Sequence, residues 1–412
     1  MTGGTISEAI PASSSNLHAE PPSTSGSESS SVDSDDASDD SDTMFYEFDP
    51  PRWPPKDITL AKVTISAFTE TGQVESSIEV PLQRSYISQT PIIPSSLADT
   101  PCATLGIQGV LDELNATLRT TYTLDTPSLP SILDDCVKNY NFGTAYGRLR
   151  QMWYTNDWSN IRDKLRRQEE KDRKRRQEAL ADKVLIVEPY LPPRRVWDLY
   201  SNRVVPWWTV RRYPVPISHA WVDEKDRVDV WTPINGYACP VPIPKDASLD
   251  LLRIEMLNLG VQYTWLDVLC LRQKGGTKED IRVEEWRLDV PTIGWVYRNT
   301  WVVIYLSGLG LPLSLNEGDL DSERCWFRHA WTLQEVGEDR IIAGDTSDGL
   351  MHAELIDEEG NYETGLLTRF HKQLGWRQGW LDLFRQLAAM QKWVSTNPVD
   401  KVAGLAFVSH SL

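Results

Sequence analysis

The sequence predicts an α/β fold in which helices cover both faces of a parallel sheet. Three observations support this prediction. Short apolar, β-branched runs alternate with segments of helical periodicity between residues 214 and 343. The runs are apolar along their whole length, as in strands that are buried on both faces. Eleven of the 17 tryptophans lie between Trp197 and Trp331, and such large side chains supply the apolar area that a core needs.

The chain opens with an acidic, serine-rich segment that we expect to be disordered. Residues 1–42 hold nine Asp or Glu and no Lys or Arg, so they carry −9 of the net charge of −17. A run such as Asp33-Ser-Asp-Asp-Ala-Ser-Asp-Asp40 buries too little apolar area to offset the entropy cost of ordering. A solvating tail is the favoured interpretation, and a specific acidic interaction arm is the alternative.

The sequence of residues 43–155 predicts an accessory region of mixed α/β structure. A Val-, Ile- and Thr-rich stretch, a turn at Thr71-Gly-Gln73 and a second apolar run predict a β-hairpin over residues 57–82. Leucines at near-helical spacing predict a helix over residues 104–120.

Residues 156–190 predict a highly charged connecting helix. Between Arg162 and Glu178 there are nine Lys or Arg and five Asp or Glu. A helix that is polar all round is typical of a solvent-exposed connector. The Arg173-Lys-Arg-Arg176 cluster allows a second interpretation, as a nuclear address or a nucleic-acid contact. The connector is favoured, because acids are interleaved with the bases and no aromatic residues accompany them.

The α/β domain is predicted at residues 191–345, and a helical C-terminal segment at residues 346–412. The predicted strands are Val215–Ser218, Val261–Leu266, Trp301–Leu306 and Arg340–Ala343. The predicted helices are one that Asp246 caps and Gly260 ends, one from Glu279 to about Tyr297 that Pro291 interrupts, and one that carries Glu335. A strand-like run lies close to Leu412, so we expect the natural protein either to continue or to complete its fold there.

Polar side chains follow the predicted strands. Ser218 and His219 end the first strand, Asp267 ends the second and Ser307 ends the third. The carboxyl ends of parallel strands surround the ligand crevice in open α/β sheets. We therefore expect Ser218, His219 and Asp267 to border one substrate-binding site.

The segment from Cys325 to Glu335 predicts a second wall of this site. Arg328, Trp331 and Glu335 stand at offsets of 0, 3 and 7, which places them on one stripe of a helix. A carboxylate can stabilise an oxocarbenium-like centre, an indole can stack on a ring, and a guanidinium can bind phosphate through two hydrogen bonds. Two plainer interpretations stay open. Trp331 can be a core residue, and Arg328 with Glu335 can form a surface ion pair of little energetic value.

His219 and Asp267 allow further interpretations. His219 and Cys270 both follow strands and could form a nucleophilic pair, although a buried, inert cysteine is favoured. Asp267 could hold a metal or a ribose, or it could bond to the neighbouring backbone or to His219. The five cysteines show no metal-ligand spacing, so we predict no metal site and a reducing compartment. No glycine-rich phosphate loop follows the first strand.

Three blocks in one order resemble a known family. Ile217-Ser-His-Ala-Trp221, Tyr263-Thr-Trp-Leu-Asp-Val-Leu-Cys-Leu-Arg-Gln273 and Trp326-Phe-Arg-His-Ala-Trp-Thr-Leu-Gln-Glu335 resemble the heterokaryon-incompatibility (HET) domain of filamentous fungi. They cover about residues 214–337. Asn397-Pro-Val-Asp-Lys-Val-Ala-Gly-Leu405 is similar to a segment that often follows that domain. The second block departs from the family pattern, because it ends Cys-Leu-Arg-Gln where Cys-Ile-x-Gln is usual.

The resemblance implies a role in fungal non-self recognition and programmed cell death. It also implies a flavodoxin-like fold of the TIR type. Trp331-Thr-Leu-Gln-Glu335 is similar to the Trp-x-x-x-Glu stretch of TIR domains, which makes Glu335 the expected catalytic residue of an NAD+ glycohydrolase. NAD+ would then be a substrate, and no cofactor is expected. The alternative is a non-catalytic TIR-like module that signals by self-association or by binding other proteins.

The composition also predicts the cellular compartment of the protein. No apolar run reaches the roughly 18 residues of a membrane span, and the chain lacks an N-terminal apolar region. We therefore expect a soluble, cytoplasmic protein, with the nucleus as the alternative. Its expected partners are a second copy of the chain or unidentified proteins, and neither a membrane nor a nucleic acid.

Overall fold

Strands and helices alternate along most of the chain in the computed structural model. The structure describes residues 58–155, 158–181, 185–188, 190–322, 325–335, 339–346 and 355–376. The predicted tail at residues 1–42 and the segment from Asn397 to Leu405 lie outside these residues. The strands are β1 (Val63–Ser66), β2 (Ser85–Ser88), β3 (Leu180–Ala181), β4 (Leu185–Ile186), β5 (Arg195–Asp198), β6 (Arg203–Pro206), β7 (Val215–His219), β8 (Arg227–Val230), β9 (Val241–Pro244), β10 (Tyr263–Trp265), β11 (Val302–Tyr305) and β12 (Arg340–Ala343).

The helices flank these strands. They are α1 (Ala67–Thr71), α2 (Ser95–Asp99), α3 (Cys102–Leu118), α4 (Leu129–Asn139), α5 (Phe142–Leu149), α6 (Ile161–Glu178), α7 (Trp207–Val210), α8 (Leu249–Asn258), α9 (Asp267–Cys270), α10 (Glu279–Asp289), α11 (Ile293–Arg298) and α12 (Gly365–Trp376). None of these helices is both long and apolar enough to cross a membrane.

Six strands form the central sheet in the order β12-β11-β7-β10-β5-β6. The strands β12, β11, β7 and β10 are parallel, which confirms the predicted parallel sheet. The hairpin β5–β6 adds two antiparallel strands at one edge, which the sequence did not predict. Numbered along the chain, the four parallel strands have the order 2-1-3-4. Their direction of winding reverses between β7 and β11, and such a reversal marks the crevice of open α/β sheets.

Helices pack on both faces of this sheet. The register of the sheet places Trp265 of β10 and Tyr305 of β11 at positions whose side chains point to opposite faces. Tyr297 from α11 packs edge-on against Trp265, with 5.8 Å between ring centroids. On the other face, Tyr305 donates a hydrogen bond from Oη to Glu255 of α8 at 2.7 Å. The helical layers that the alternation predicted are therefore present on each side.

Most predicted elements of the α/β domain are confirmed, with shifted ends. The strand β12 has the predicted bounds, and Pro291 separates α10 from α11 as expected. The helix α8 starts later than predicted, because Ser248 and not Asp246 is its N-cap residue. Gly260 follows the end of α8 with φ of +79°, a conformation that glycine adopts without strain.

The predicted hairpin over residues 57–82 is wrong. The strand β1 pairs with β2, and a short helix directly follows β1. Ser66 and Thr69 form a reciprocal capping box that starts this helix, and Gly72 at φ +74° ends it. Thr71-Gly-Gln73, which was predicted as the turn of a hairpin, thus lies at the C-terminal end of α1. The helix predicted over residues 104–120 is confirmed as α3.

The N-terminal elements share a core with the central sheet. Ile65 of β1 and Ala67 of α1 are fully buried in the same cluster as Ile217 of β7. Arg253 of α8, which is also fully buried, forms an ion pair with Glu70 at 3.3 Å. Burying a charge is costly unless it is paired, so this contact ties the two regions together.

The highly charged segment forms a helix, α6, as predicted, but this helix is not exposed all round. Arg176 is only 6% exposed and bonds to Asp172 and to the carbonyl of Pro192. The other basic residues of its cluster also have acidic partners. The pairs are Arg173 with Glu170, Lys174 with Glu178 and Arg175 with Glu188. Each of the four basic residues of this cluster therefore has an acidic partner in the structure.

Candidate functional site

The candidate site lies at the carboxyl end of β7. Ser218 and His219 are the last two residues of this strand, and both are buried. Asp267 follows β10 as the first residue of α9. Since β7 and β10 are parallel neighbours, their ends meet at one edge of the sheet. The strand order therefore brings these side chains together, as the sequence predicted.

His219 and Asp267 form a hydrogen-bonded pair. His219 Nε2 lies 3.0 Å from Asp267 Oδ1, and His219 Nδ1 lies 3.3 Å from the carbonyl oxygen of Ala220. Burial opposes the charged imidazolium, but the charge and hydrogen bond of Asp267 and the charge of Glu335 raise the pKa of His219. Both ring nitrogens are engaged by the protein. His219 therefore holds Asp267 in place and is not itself placed to grip a ligand.

Glu335 is held at the same strand end by Ser218. Ser218 Oγ donates a hydrogen bond to Glu335 Oε2 at 2.5 Å and accepts one from Trp326 Nε1 at 2.7 Å. Trp326 is almost completely buried, so it fixes the hydroxyl of Ser218 in one orientation. Glu335 is half-buried and Asp267 is 19% exposed. Glu335 and Asp267 are thus the partly exposed members of an otherwise buried, hydrogen-bonded group.

The predicted helical stripe from Arg328 to Glu335 is wrong. Residues Trp326–Arg328 and Trp331–Leu333 form two separate 3-10 turns, and His329 between them is extended at φ −75° and ψ 135°. The cause is Thr332, whose Oγ1 donates to the carbonyl oxygens of Trp326 at 2.9 Å and His329 at 2.7 Å. A side chain that takes carbonyls in this way competes with the hydrogen bonds of a helix.

Two of the predicted site residues lie apart from this hydrogen-bonded group. Arg328 is part-exposed and forms its ion pair with Asp321 at 3.7 Å, and not with Glu335 as one interpretation held. Trp331 is half-buried and packs against the main core, which favours the core interpretation. Ser307 bonds to Ser314 within its own exposed loop. The structure therefore joins Ser218, His219, Asp267 and Glu335.

Tyr297 and Trp326 belong to the site and were not predicted. Tyr297 Oη donates to the carbonyl oxygen of Ile217 at 3.2 Å. Burial first, and then the charges of Glu335 and Asp267, raise the pKa of Tyr297 well above its usual value. Its hydroxyl therefore stays neutral beside the carboxylates. No periodicity marks these two residues, since their contacts are 80 and 108 positions away in the chain.

The nucleophilic Cys-His pair is not supported. Cys270 is 1% exposed, and burial raises the pKa of its thiol to about 12. A thiol in such surroundings is inert, because the thiolate is the reactive form. Within the described residues, no group of three or more His, Cys, Asp or Glu is arranged to hold a metal ion.

Comparison of the chain with protein-family models, with curated proteins and with solved structures gave no significant match. Two carboxylates, one held by a serine that a buried indole orients and the other held by a histidine, can accept hydrogen bonds from ligand hydroxyls. They can also stabilise positive charge that develops on a ligand.

Proposed function

We propose that this chain is a HET-type protein that acts in fungal non-self recognition and programmed cell death by cleaving NAD+. The observation that carries the proposal is the hydrogen bond from Ser218 to Glu335, beside the His219–Asp267 pair. The 2-1-3-4 order of the parallel strands supports the TIR-like part of the proposal, since flavodoxin-like sheets begin with this order.

Glu335 is assigned the chemical role. The bond between nicotinamide and C1′ of the ribose breaks with its electron pair leaving on nicotinamide, which becomes neutral. Positive charge then develops on the ribose ring, and the carboxylate of Glu335 stabilises it. Water forms the new bond to C1′ and releases its proton to solvent. The products are nicotinamide and ADP-ribose.

The neighbouring residues are assigned positioning roles. Ser218 and Trp326 hold the carboxylate of Glu335 in one orientation, so it needs no rearrangement as charge develops. Asp267, held by His219, offers a further acceptor for a ribose hydroxyl. Tyr297 is buried beside these residues and donates a hydrogen bond to the carbonyl oxygen of Ile217.

The proposal is tested by measuring nicotinamide release from NAD+ by purified protein, alone and forcibly clustered. Glu335→Gln keeps the shape of the side chain and removes its charge. We expect it to lower the rate by at least about 100-fold. Glu317→Gln, an exposed substitution of the same type, should leave the rate unchanged. Melting curves of all three proteins should coincide within a few degrees.

A cell-death assay separates the enzyme from the non-catalytic alternative. If wild-type protein releases no nicotinamide in either state, and Glu335→Gln still kills cells, the enzyme proposal fails. The TIR-like assembly module would then take its place. In that case cell death should instead follow the oligomeric state, which light scattering measures.

A further inference from the structure

Two side chains beyond the carboxylates extend the site along the chain. Trp221 lies two residues after His219, and their ring centroids are 5.3 Å apart with a 39° tilt. The guanidinium carbon of Arg227 lies 5.6 Å from the centroid of the Trp221 ring. His219, Trp221 and Arg227 therefore form a continuous series of contacts that starts at Asp267.

Both outer side chains carry donors that the protein leaves unused. Over the part of the chain that the structure describes, neither the indole N–H of Trp221 nor the guanidinium of Arg227 donates a hydrogen bond to a protein acceptor. Arg227 has an ion pair with Glu224 at 3.5 Å, but the Glu224 side chain is 93% exposed. Such a pair contributes little in water and is readily exchanged for a ligand anion. Trp221 is half-buried and the Arg227 side chain is 25% exposed, so both can be reached.

The β8–β9 hairpin fixes the backbone of Arg227. Arg227 is the first residue of β8 and pairs with Pro244 of β9. The amide of Lys245 also donates to the carbonyl oxygen of Asp226 at 3.0 Å. The hairpin thus sets the position of Arg227, and the contact with Trp221 restricts its guanidinium further. A guanidinium that is ordered before binding loses less entropy when it grips a ligand.

We propose that Trp221 and Arg227 form a phosphate-binding wall of the site, so that the substrate class is a phosphorylated ribosyl compound and not a free nucleoside. Groups that only donate hydrogen bonds select an anion, and a guanidinium binds two phosphate oxygens at once. The carboxylates of Asp267 and Glu335 at the other end accept from ribose hydroxyls. This assignment rests on the proposed function, because it assumes that Glu335 contacts the ribose.

The test compares three substrates that share nicotinamide and ribose. Nicotinamide riboside has no phosphate, whereas nicotinamide mononucleotide and NAD+ do. For the two phosphorylated substrates, Arg227→Ala should raise KM by about 10- to 100-fold with kcat changed little. For the riboside, KM should stay within about twofold of the wild-type value. Trp221→Phe, which keeps a ring against His219 but removes the N–H, should shift KM in the same direction by less.

Lys225→Ala is the matched control, since it removes a cation that is 71% exposed and two residues from Arg227. It should leave all three KM values unchanged. If Arg227→Ala also leaves them unchanged while wild-type protein turns over NAD+, the phosphate wall is overturned and the proposed function stands. Circular dichroism and melting curves check that each variant is folded.

Binding of ADP-ribose, measured by calorimetry, gives a readout that needs no turnover. Adding Arg227→Ala to Glu335→Gln protein should weaken binding by about 10-fold or more. That result supports the phosphate wall even if no protein cleaves NAD+. Equal affinity with and without Arg227, or no binding by any protein, overturns it.

Discussion

Ser218 Oγ lies 2.5 Å from Glu335 Oε2, although 117 positions separate the two residues in the chain. The contact joins the end of β7 to the segment that precedes β12. It exists only because β11, which is next to β7 in the sheet, leads into that segment. The order of the strands is therefore what assembles the candidate site.

Ser218→Ala is expected to lower nicotinamide release by about tenfold or more. The change removes the hydrogen bond from Ser218 to the carboxylate of Glu335 and the hydrogen bond from the indole N–H of Trp326 to Ser218. The loss of these two hydrogen bonds should also cost about 1–3 kcal/mol of stability. Ser76→Ala, at an exposed position, is the control and should change neither quantity. Unchanged turnover in Ser218→Ala would remove the positioning role of this serine.

Trp326→Ala is expected to destabilise the fold more than Trp331→Ala. Trp326 is 1% exposed, so its truncation should cost about 3–5 kcal/mol. Trp331 is half-buried, so its truncation should cost less than that range. Urea denaturation of the two variants measures both costs. A larger loss for Trp331→Ala would contradict the burial described for this segment.

Stability should depend on pH through His219. Its pKa is raised in the folded state, so the charged imidazolium contributes stability that is fully present below about pH 6.5. That contribution is lost as the pH rises through the folded pKa. The difference in unfolding free energy between wild type and His219→Gln should therefore shrink above about pH 6.5.

The contribution of His371 to stability should show the opposite dependence on pH. Burial lowers the pKa of His371, so its contribution is present above about pH 6.5 and is lost as the pH falls. The difference between wild type and His371→Gln should thus change below this pH and not above it. Parallel pH profiles for the two variants would contradict the assignment of His219 as the charged partner of Asp267.

Asp198→Ala is expected to cost about 3–5 kcal/mol, because it leaves the guanidinium of Arg150 buried without its carboxylate. The pair is 2.6 Å apart and both side chains are 0% exposed. Asp134→Ala breaks the exposed pair with Lys138 and should cost no more than about 1 kcal/mol. Chemical denaturation of both variants checks the contrast. Similar costs would mean that water reaches Arg150.

The parallel strands could be predicted because each is a short apolar run between helical segments. The hairpin β5–β6 could not, because each of its strands has only four residues and prolines lie close to both. The stripe of Arg328 and Glu335 failed for a local reason, since the hydroxyl of Thr332 takes two carbonyls that a helix would use. Helical spacing in the sequence does not show that a side chain competes for these carbonyl oxygens.

The candidate site was predictable where chemistry coincides with a strand end. Ser218, His219 and Asp267 follow strands, so parallel packing was enough to bring them together. Tyr297 and Trp326 reach the site only through the tertiary packing of other elements. Their roles follow from these contacts, which the spacing of residues in the sequence does not indicate.

The central claim is that the carboxylate of Glu335 faces the ribose of NAD+ beside Ser218. A crystal structure of the Glu335→Gln protein with NAD+ tests this most directly, because the variant should bind the substrate without cleaving it. We predict the ribose C1′ within about 4 Å of the side chain at position 335, a distance typical of near-attack geometry. NAD+ bound elsewhere on the chain, or absent at saturating concentration, would contradict the assignment.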